Sequence, residues 1–279
     1  MKKLIVIMLA VLMVVVSVVG LAACDTNTIV VYTNATFPPF EYTSGKSIVG
    51  VDIEIMELVG KELGKKVKFE NVDFDIIVDT VAAGKLCQVG AAGISVTDER
   101  KAKVDFSNEY YTAKLYVIYK VSDASVYESN TTDGVKGVYW DDLAGKNIGI
   151  QGGTTADLFL TDELDSTADY AGVLYNTGAK KTSYDSLFTA VADIGVNTNV
   201  VIIDELPAQQ LIAGNSELTC APLYWQGGDG EADEAAVDVY AICVTKGQDE
   251  LLAAINKVLA DLGEEGIQAL VNKHLGITK

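Results

Sequence analysis

Histidine is all but missing. One residue in 279, His274, carries an imidazole, and it stands near the C-terminus. Imidazole is the commonest proton shuttle near neutral pH and a frequent ligand for metals. Its absence from the body of the chain argues against a hydrolase and against a metalloenzyme, so no metal site and no cofactor are expected. Positive charge is scarce too: 21 Lys and Arg stand against 39 Asp and Glu, a net charge of −18. The first 23 residues hold Lys2 and Lys3 and no acid, so the remainder carries −20. Such a chain repels phosphate backbones, which excludes nucleic acid as a partner. It gains nothing electrostatically from an anionic lipid surface, so any membrane attachment needs a covalent or hydrophobic anchor. Four cysteines are present. With Cys24 set aside for the reason given next, Cys87, Cys220 and Cys243 remain, and an odd number cannot fully pair. Cys243 lies in an apolar run and Cys87 beside Leu86, so both read as buried free thiols, with a Cys220–Cys243 bridge as the alternative. What is present is ordinary for a folded protein: 49% hydrophobic and 22% charged residues, in a length suited to one large or two medium domains.

The N-terminus reads as an export signal. Lys2 and Lys3 precede an apolar run from Leu4 to Val19, and Gly20-Leu21-Ala22-Ala23-Cys24 follows. The run is also long enough for an uncleaved membrane helix. The tetrad Leu21-Ala22-Ala23-Cys24 resembles the bacterial lipobox, which implies a signal peptide over residues 1–23 and lipidation of Cys24 as the new N-terminus. Either reading places the folded part outside the cytoplasm, tethered to the cell membrane.

Beyond Asn27 the pattern alternates strand and helix. Thr28–Tyr32 is β-branched and apolar, Val51–Leu63 repeats apolar residues at helical spacing before Gly64, and Val67–Phe69 resumes a strand. Ile76–Ala83 reads as a helix, Val89–Ser95 as a small-residue strand, Thr97 as a helix start and Leu115–Val121 as a strand. The pattern restarts near residue 122: strand 147–150, a helix from about Ala156, helix 183–194, strand 200–203, helix 205–213, strand 237–244, and closing helices 249–262 and 266–274. This alternation implies an α/β protein, and the restart a second α/β lobe. Ligands bind such sheets beyond the carboxyl ends of the strands.

Three strand–loop–helix segments carry groups suited to the ends of a zwitterion. In Gly90-Ala91-Ala92-Gly93-Ile94-Ser95-Val96-Thr97-Asp98-Glu99-Arg100, Thr97 suits an N-cap, and the helix dipole opposes a cation in the first turn. Arg100 is therefore either neutralised by Asp98 and Glu99 or partnered by an external anion, for which its planar fork suits a carboxylate. Ala92 and Gly93 leave backbone carbonyls open to an ammonium, or simply allow tight packing. Gly152-Gly153-Thr154-Thr155 opens a helix and offers an anion site, or is an ordinary capped turn; it lacks the nucleotide-loop spacing. Asp204, at a strand's carboxyl end, suits an ammonium or the N-cap of the helix that follows. Phe37, in Thr33–Phe40, and Phe74 can wall a pocket or fill the core.

Together these segments resemble the bacterial extracellular solute-binding proteins of family 3, over about Thr28 to Gly276. The resemblance is strongest at Gly93–Arg100, Val104–Ser107 and Tyr110-Tyr111, with support from Val49–Asp52, Gly152–Thr155 and Ile203–Pro207. It implies the periplasmic binding protein type II fold: two mixed sheets flanked by helices, joined by two hinge strands. Lobe one would be residues 28–121 plus 237–279, and lobe two 122–236. Arg100 would clamp a ligand carboxylate with Ser95 and the backbone near Thr154 and Thr155. Asp204 would bind the α-ammonium, while Asn34, Phe37 and Phe74 would read the side chain. Asn34 stands where binders of cationic side chains have an acid, which implies an uncharged amino acid. The resemblance further implies a monomer that serves an ABC permease as its substrate-binding subunit and is not an enzyme. The rival readings are a dehydratase on the same fold, of the cyclohexadienyl type, and a ligand sensor for a membrane receptor.

Overall fold

The computed structural model describes residues 27–167, 170–228 and 230–277. The export signal and Cys24 lie outside the described residues.

The first sheet grows around Thr28–Thr33. Its neighbours Lys66–Asn71 and Val89–Gly90 run parallel to it, and Cys243–Val244 and Asp105–Phe106 extend the sheet antiparallel. Ile29 and Val31 point to one face and Val30 and Tyr32 to the other, because side chains alternate along a strand. Both faces are covered. The helix Val51–Leu63 and the long C-terminal helix Asp249–His274 pack on one, and the short helix Ile77–Ala83 on the other. The C-terminal helix breaks its dihedral pattern at Gly263, where the sequence places a boundary between two closing helices.

The second sheet runs in the order 180–184, 147–151, 200–204, 111–120, 218–225, 136–139 and 129–130. Its first three strands are parallel, Tyr111–Lys120 runs against them, and both faces carry apolar clusters. All five residues of Val200–Asp204 are buried, as expected for a central strand covered on both sides.

Two strands link the sheets. Tyr111–Lys120 pairs through Leu115–Ile118 with Asp204–Val201, while its first residues pair with Val237–Tyr240, in the register Tyr111 with Tyr240 and Lys114 with Val237. Val237–Tyr240 then leads into Cys243–Val244 of the first sheet.

Some elements differ from the sequence reading. Of the expected strand Val89–Ser95, only Val89–Gly90 pairs as a strand, and Ser95 keeps a single bridge to Tyr240. The chain leaves the sheet at Gly93, whose φ of +53° turns the backbone. The expected helix 183–194 is a strand, Lys180–Tyr184, followed by a helix over Leu187–Ala192 only, because residues 180–184 pair with Asn147–Gln151. Strand Leu218–Trp225 was not foreseen. The cysteines Cys87, Cys220 and Cys243 are free thiols rather than a bridge. Burial pushes Cys87 and Cys243 up to about 12 and Cys220 to about 11. Among the described residues, no helix is long and apolar enough to cross a membrane, and no cluster of side chains is arranged to hold a metal ion.

Candidate functional site

The carboxyl ends of strands from both sheets meet at one cavity between the lobes. Asn34, Phe37, Glu41, Phe74, Ala92, Gly93 and Ser95 line it from one side, and Gln151, Thr154, Thr155 and Asp204 from the other. Every proposed ligand-binding residue except Arg100 reaches this lining. The space outside the atoms is about 320 Å3, but only about 20 Å3 of it admits the centre of a water molecule. The two walls therefore nearly touch, and a ligand enters only when they part. A more open hollow, about 1270 Å3 outside the atoms, lies beside Tyr110, Leu259 and Gly263, but it is rimmed by exposed Glu109 and Glu264 and no cation lines it.

Arg100 sits in the first turn of helix Asp98–Lys103, whose N-cap Thr97 accepts from the Arg100 amide at 3.2 Å. Asp98 and Glu99 pair with lysines on the surface. The guanidinium instead turns inward and is 7% exposed, so it is not a surface salt bridge. It donates to the Ser95 carbonyl at 2.7 Å and to the Gly153 carbonyl of the opposite lobe at 2.8 Å, and it lies 5.7 Å from the centre of the Phe74 ring. Gly153 has a φ of +75°, and a Cβ there would stand 3.0 Å from the Asp75 backbone, so glycine is what lets the lobes approach at this point.

Two more contacts cross the cavity. The Ser95 and Thr155 hydroxyls lie 3.2 Å apart, and the Gln151 amide donates to the Asn34 side-chain carbonyl at 3.0 Å. Asn34 also donates one N–H to Val72 and accepts from Thr36, so its side-chain oxygen has two donors already. Thr154 caps the helix Thr155–Leu164 by accepting from the Asp157 amide. Asp204 occupies an N-cap position but makes no side-chain capping bond, and its Oδ1 has no partner. Of the two roles open to it, the structure removes the capping one.

The electrostatics are one-sided. One buried cation, Arg100, stands among four buried carboxylates: Glu41, Asp52, Asp204 and Asp238. Burial raises the carboxyl of Glu41 well above its ordinary range, and Asp52 and Asp204 raise it further. Neither Glu41 oxygen has a hydrogen-bond partner. Asp52 is pushed up to about 6 by burial, although the Gly93 amide and the Tyr110 hydroxyl, at 2.9 and 2.6 Å, favour its charge. Asp204 is raised by burial and then by Asp238. Tyr240 has no hydrogen bond of good geometry, but its hydroxyl faces Asp204 closely enough to favour the carboxylate. Charges left in so dry a site favour either protons or a ligand that brings positive charge.

Sequence reasoning missed Glu41, Gln151 and Asp238. Gln151 was signalled by its place between a strand end and Gly152-Gly153. An acid directly after Pro38-Pro39-Phe40 was the available sign for Glu41. Asp238 alternates with apolar neighbours on a hinge strand and gave no local sign.

Comparison with known proteins places the chain among amino-acid binders. It is 27% identical to the arginine-binding extracellular protein ArtP of Bacillus subtilis, over 84% of this chain and 80% of that one. It is 29% identical to a probable histidine-binding protein of Campylobacter jejuni, over 75% and 72%. The solved amino acid ABC transporter substrate-binding protein AbpA of Streptococcus pneumoniae, bound to L-arginine, superposes with a TM-score of 0.72 at 28% identity, covering 91% of this chain and 97% of that one. An ancestral arginine-binding protein bound to glutamine superposes at 0.68 with 28% identity, over 90% and 98%. The architecture is that of the type II periplasmic amino-acid-binding proteins. A family model matches residues 29–277, and the chain belongs to the bacterial extracellular solute-binding proteins, family 3.

Proposed function

We propose that the protein captures a free amino acid with a cationic side chain between its lobes and delivers it to an ABC permease. Arg100, with Ser95 and Thr155, takes the α-carboxylate, and Asp204 takes the α-ammonium. Phe37 and Phe74 flank the side chain. The observation that carries the choice of ligand is Glu41: a buried carboxylate with both oxygens unpartnered, lining the same cavity as Asp204. The expectation of an uncharged side chain rested on Asn34, whose side-chain oxygen is taken by Thr36 and Gln151. Glu41 supplies the acid from a neighbouring position. The relatives whose names state arginine or histidine binding support this reading.

Binding of this kind works by differential contact. The ligand touches Arg100 on one lobe and Asp204 on the other, so it stabilises the closed arrangement more than the open one. Each charged hydrogen bond contributes roughly 1.5–3 kcal/mol, enough together for about micromolar affinity. The lobes would divide at 28–121 plus 237–279 and 122–236, with the hinge in Tyr111–Lys120 and Val237–Tyr240. The protein would act as a monomer tethered through lipid on Cys24, and Cys24→Ser should then move it from the membrane fraction to the soluble one.

A thermal-shift screen against the common amino acids tests the reading. Arginine, lysine or histidine should give the largest rise, because a ligand at about 100 times its dissociation constant adds roughly 2.7 kcal/mol. A response only to acidic or aliphatic amino acids contradicts it. Turnover of prephenate would favour the dehydratase reading instead.

A further inference from the structure

Asp238 belongs to no part of the ligand scheme, yet it is bonded to Thr155, one of the groups assigned to the ligand's carboxylate. It lies on the hinge strand Val237–Tyr240, opposite Ala113, and is 6% exposed. Its Oδ2 accepts the hydroxyl proton of Thr155. Thr155 in turn meets the Ser95 hydroxyl at 3.2 Å. Each hydroxyl has a single proton to give. The Thr155 proton is taken by Asp238, and the Ser95 hydroxyl and the Arg100 guanidinium also favour the charged form of the same carboxylate. Burial works against the charge on Arg100, and the carboxylate that most offsets this is Asp238 rather than Glu99, its neighbour in sequence.

We infer that Asp238 is an internal competitor that occupies the α-carboxylate site formed by Ser95, Arg100 and Thr155, and so sets both the affinity for amino acids and the resting closure of the cleft. This rests on the assignment of those three groups to the ligand carboxylate. An incoming amino acid has to displace the Asp238 carboxylate from Thr155 and take over its share of the Arg100 charge. The same contact ties the hinge strand to the first turn of helix Thr155–Leu164 in the opposite lobe, next to the Arg100–Gly153 bond that already crosses the gap. A tethered group of this kind competes at high effective concentration. Without it, the cleft would bind amino acids more tightly and release them less readily.

The test compares wild type, Asp238→Asn and Asp238→Ala with two ligands by calorimetry. L-arginine carries the α-carboxylate, while agmatine has the same side chain and amine without it. If Asp238 competes for the carboxylate site, the preference for L-arginine over agmatine should rise by roughly tenfold or more in Asp238→Asn, the value of one charged hydrogen bond. An unchanged or reduced preference overturns the inference, because a residue that only binds ligand ammonium would weaken both ligands together. A second readout needs no ligand. In small-angle scattering of protein stripped of small molecules, Asp238→Ala should have a larger radius of gyration than wild type. Equal radii overturn the latch whatever the amino acid proves to be, whereas failure of wild type to bind any cationic amino acid counts against the proposed function alone.

Discussion

At the scale of single residues, the site turns on where charge is buried without a partner. Arg100 was legible in the sequence because a cation in the first turn of a helix is locally unfavourable and so needs a reason. The reason is an inward-facing guanidinium held by carbonyls from both lobes. Arg100→Ala should weaken amino-acid binding by about a hundredfold or more, since it removes at least two charged hydrogen bonds. The melting temperature should shift far less than the affinity, because the guanidinium faces the cleft and belongs to no apolar cluster. Calorimetry and a thermal melt read the two effects separately, and unchanged affinity refutes the role. Asp204 was legible for a similar reason, as an acid at the end of a buried strand. Glu41 and Asp238 were not. Each is an acid in a short local segment with no pattern of its own, and what makes it matter is burial by residues far away in sequence.

At the scale of elements, the local pattern of apolar and β-branched residues was a good guide where it ran unbroken. Helix Val51–Leu63 and its end at Gly64 were read directly, and strands read at Thr28–Tyr32 and Val200–Ile203 run one residue further, to Thr33 and Asp204. It failed where pairing decided the outcome. Residues 183–194 read as a helix, but Ser183 and Tyr184 belong to a strand paired with Ile150 and Gln151. The strand Val89–Gly90 stops early because Gly93 adopts a left-handed turn whose amide reaches Asp52. That turn sets Gly93 against Phe37 in the cavity wall. A Cβ on Gly93 would lie 2.7 Å from the Phe37 ring. Gly93→Ala should therefore cost about 1–2 kcal/mol of stability for the left-handed backbone and weaken ligand binding by displacing Phe37. Denaturant unfolding and a titration on the same variant check this, and wild-type values for both contradict it.

At the scale of the whole molecule, four buried carboxylates near the cleft and one buried guanidinium make folding and binding respond to pH in opposite directions. Asp52 titrates near 6 in the folded chain against an ordinary 3.8, and Glu41 and Asp204 are raised as well. A carboxyl with a raised folded pKa binds protons more readily when folded than unfolded, so stability is lower above its folded pKa and is regained as pH falls toward the unfolded value. For Asp52 that window runs from about 6 down to about 4. Relief of self-repulsion in a chain with a net charge of −18 acts in the same sense. The ligand-free protein should therefore melt at a higher temperature at pH 5.5 than at pH 8. A cationic ligand competes with the same protons, so its affinity should fall over that range. Melting curves across pH without ligand test the first point, and a monotonic rise in stability with pH contradicts it. The two-lobed plan was legible from the restart of the strand–helix pattern, whereas the closeness of the lobes and the balance of charge between them depend on long-range packing.

The most direct test of the account is a calorimetric titration of L-arginine into wild-type protein and Glu41→Gln. Wild type should bind at about micromolar affinity or tighter, and Glu41→Gln should lose roughly tenfold or more while still binding L-glutamine. Equal affinity for L-arginine in the two proteins, or no binding to wild type, would contradict a cationic side chain held by Glu41.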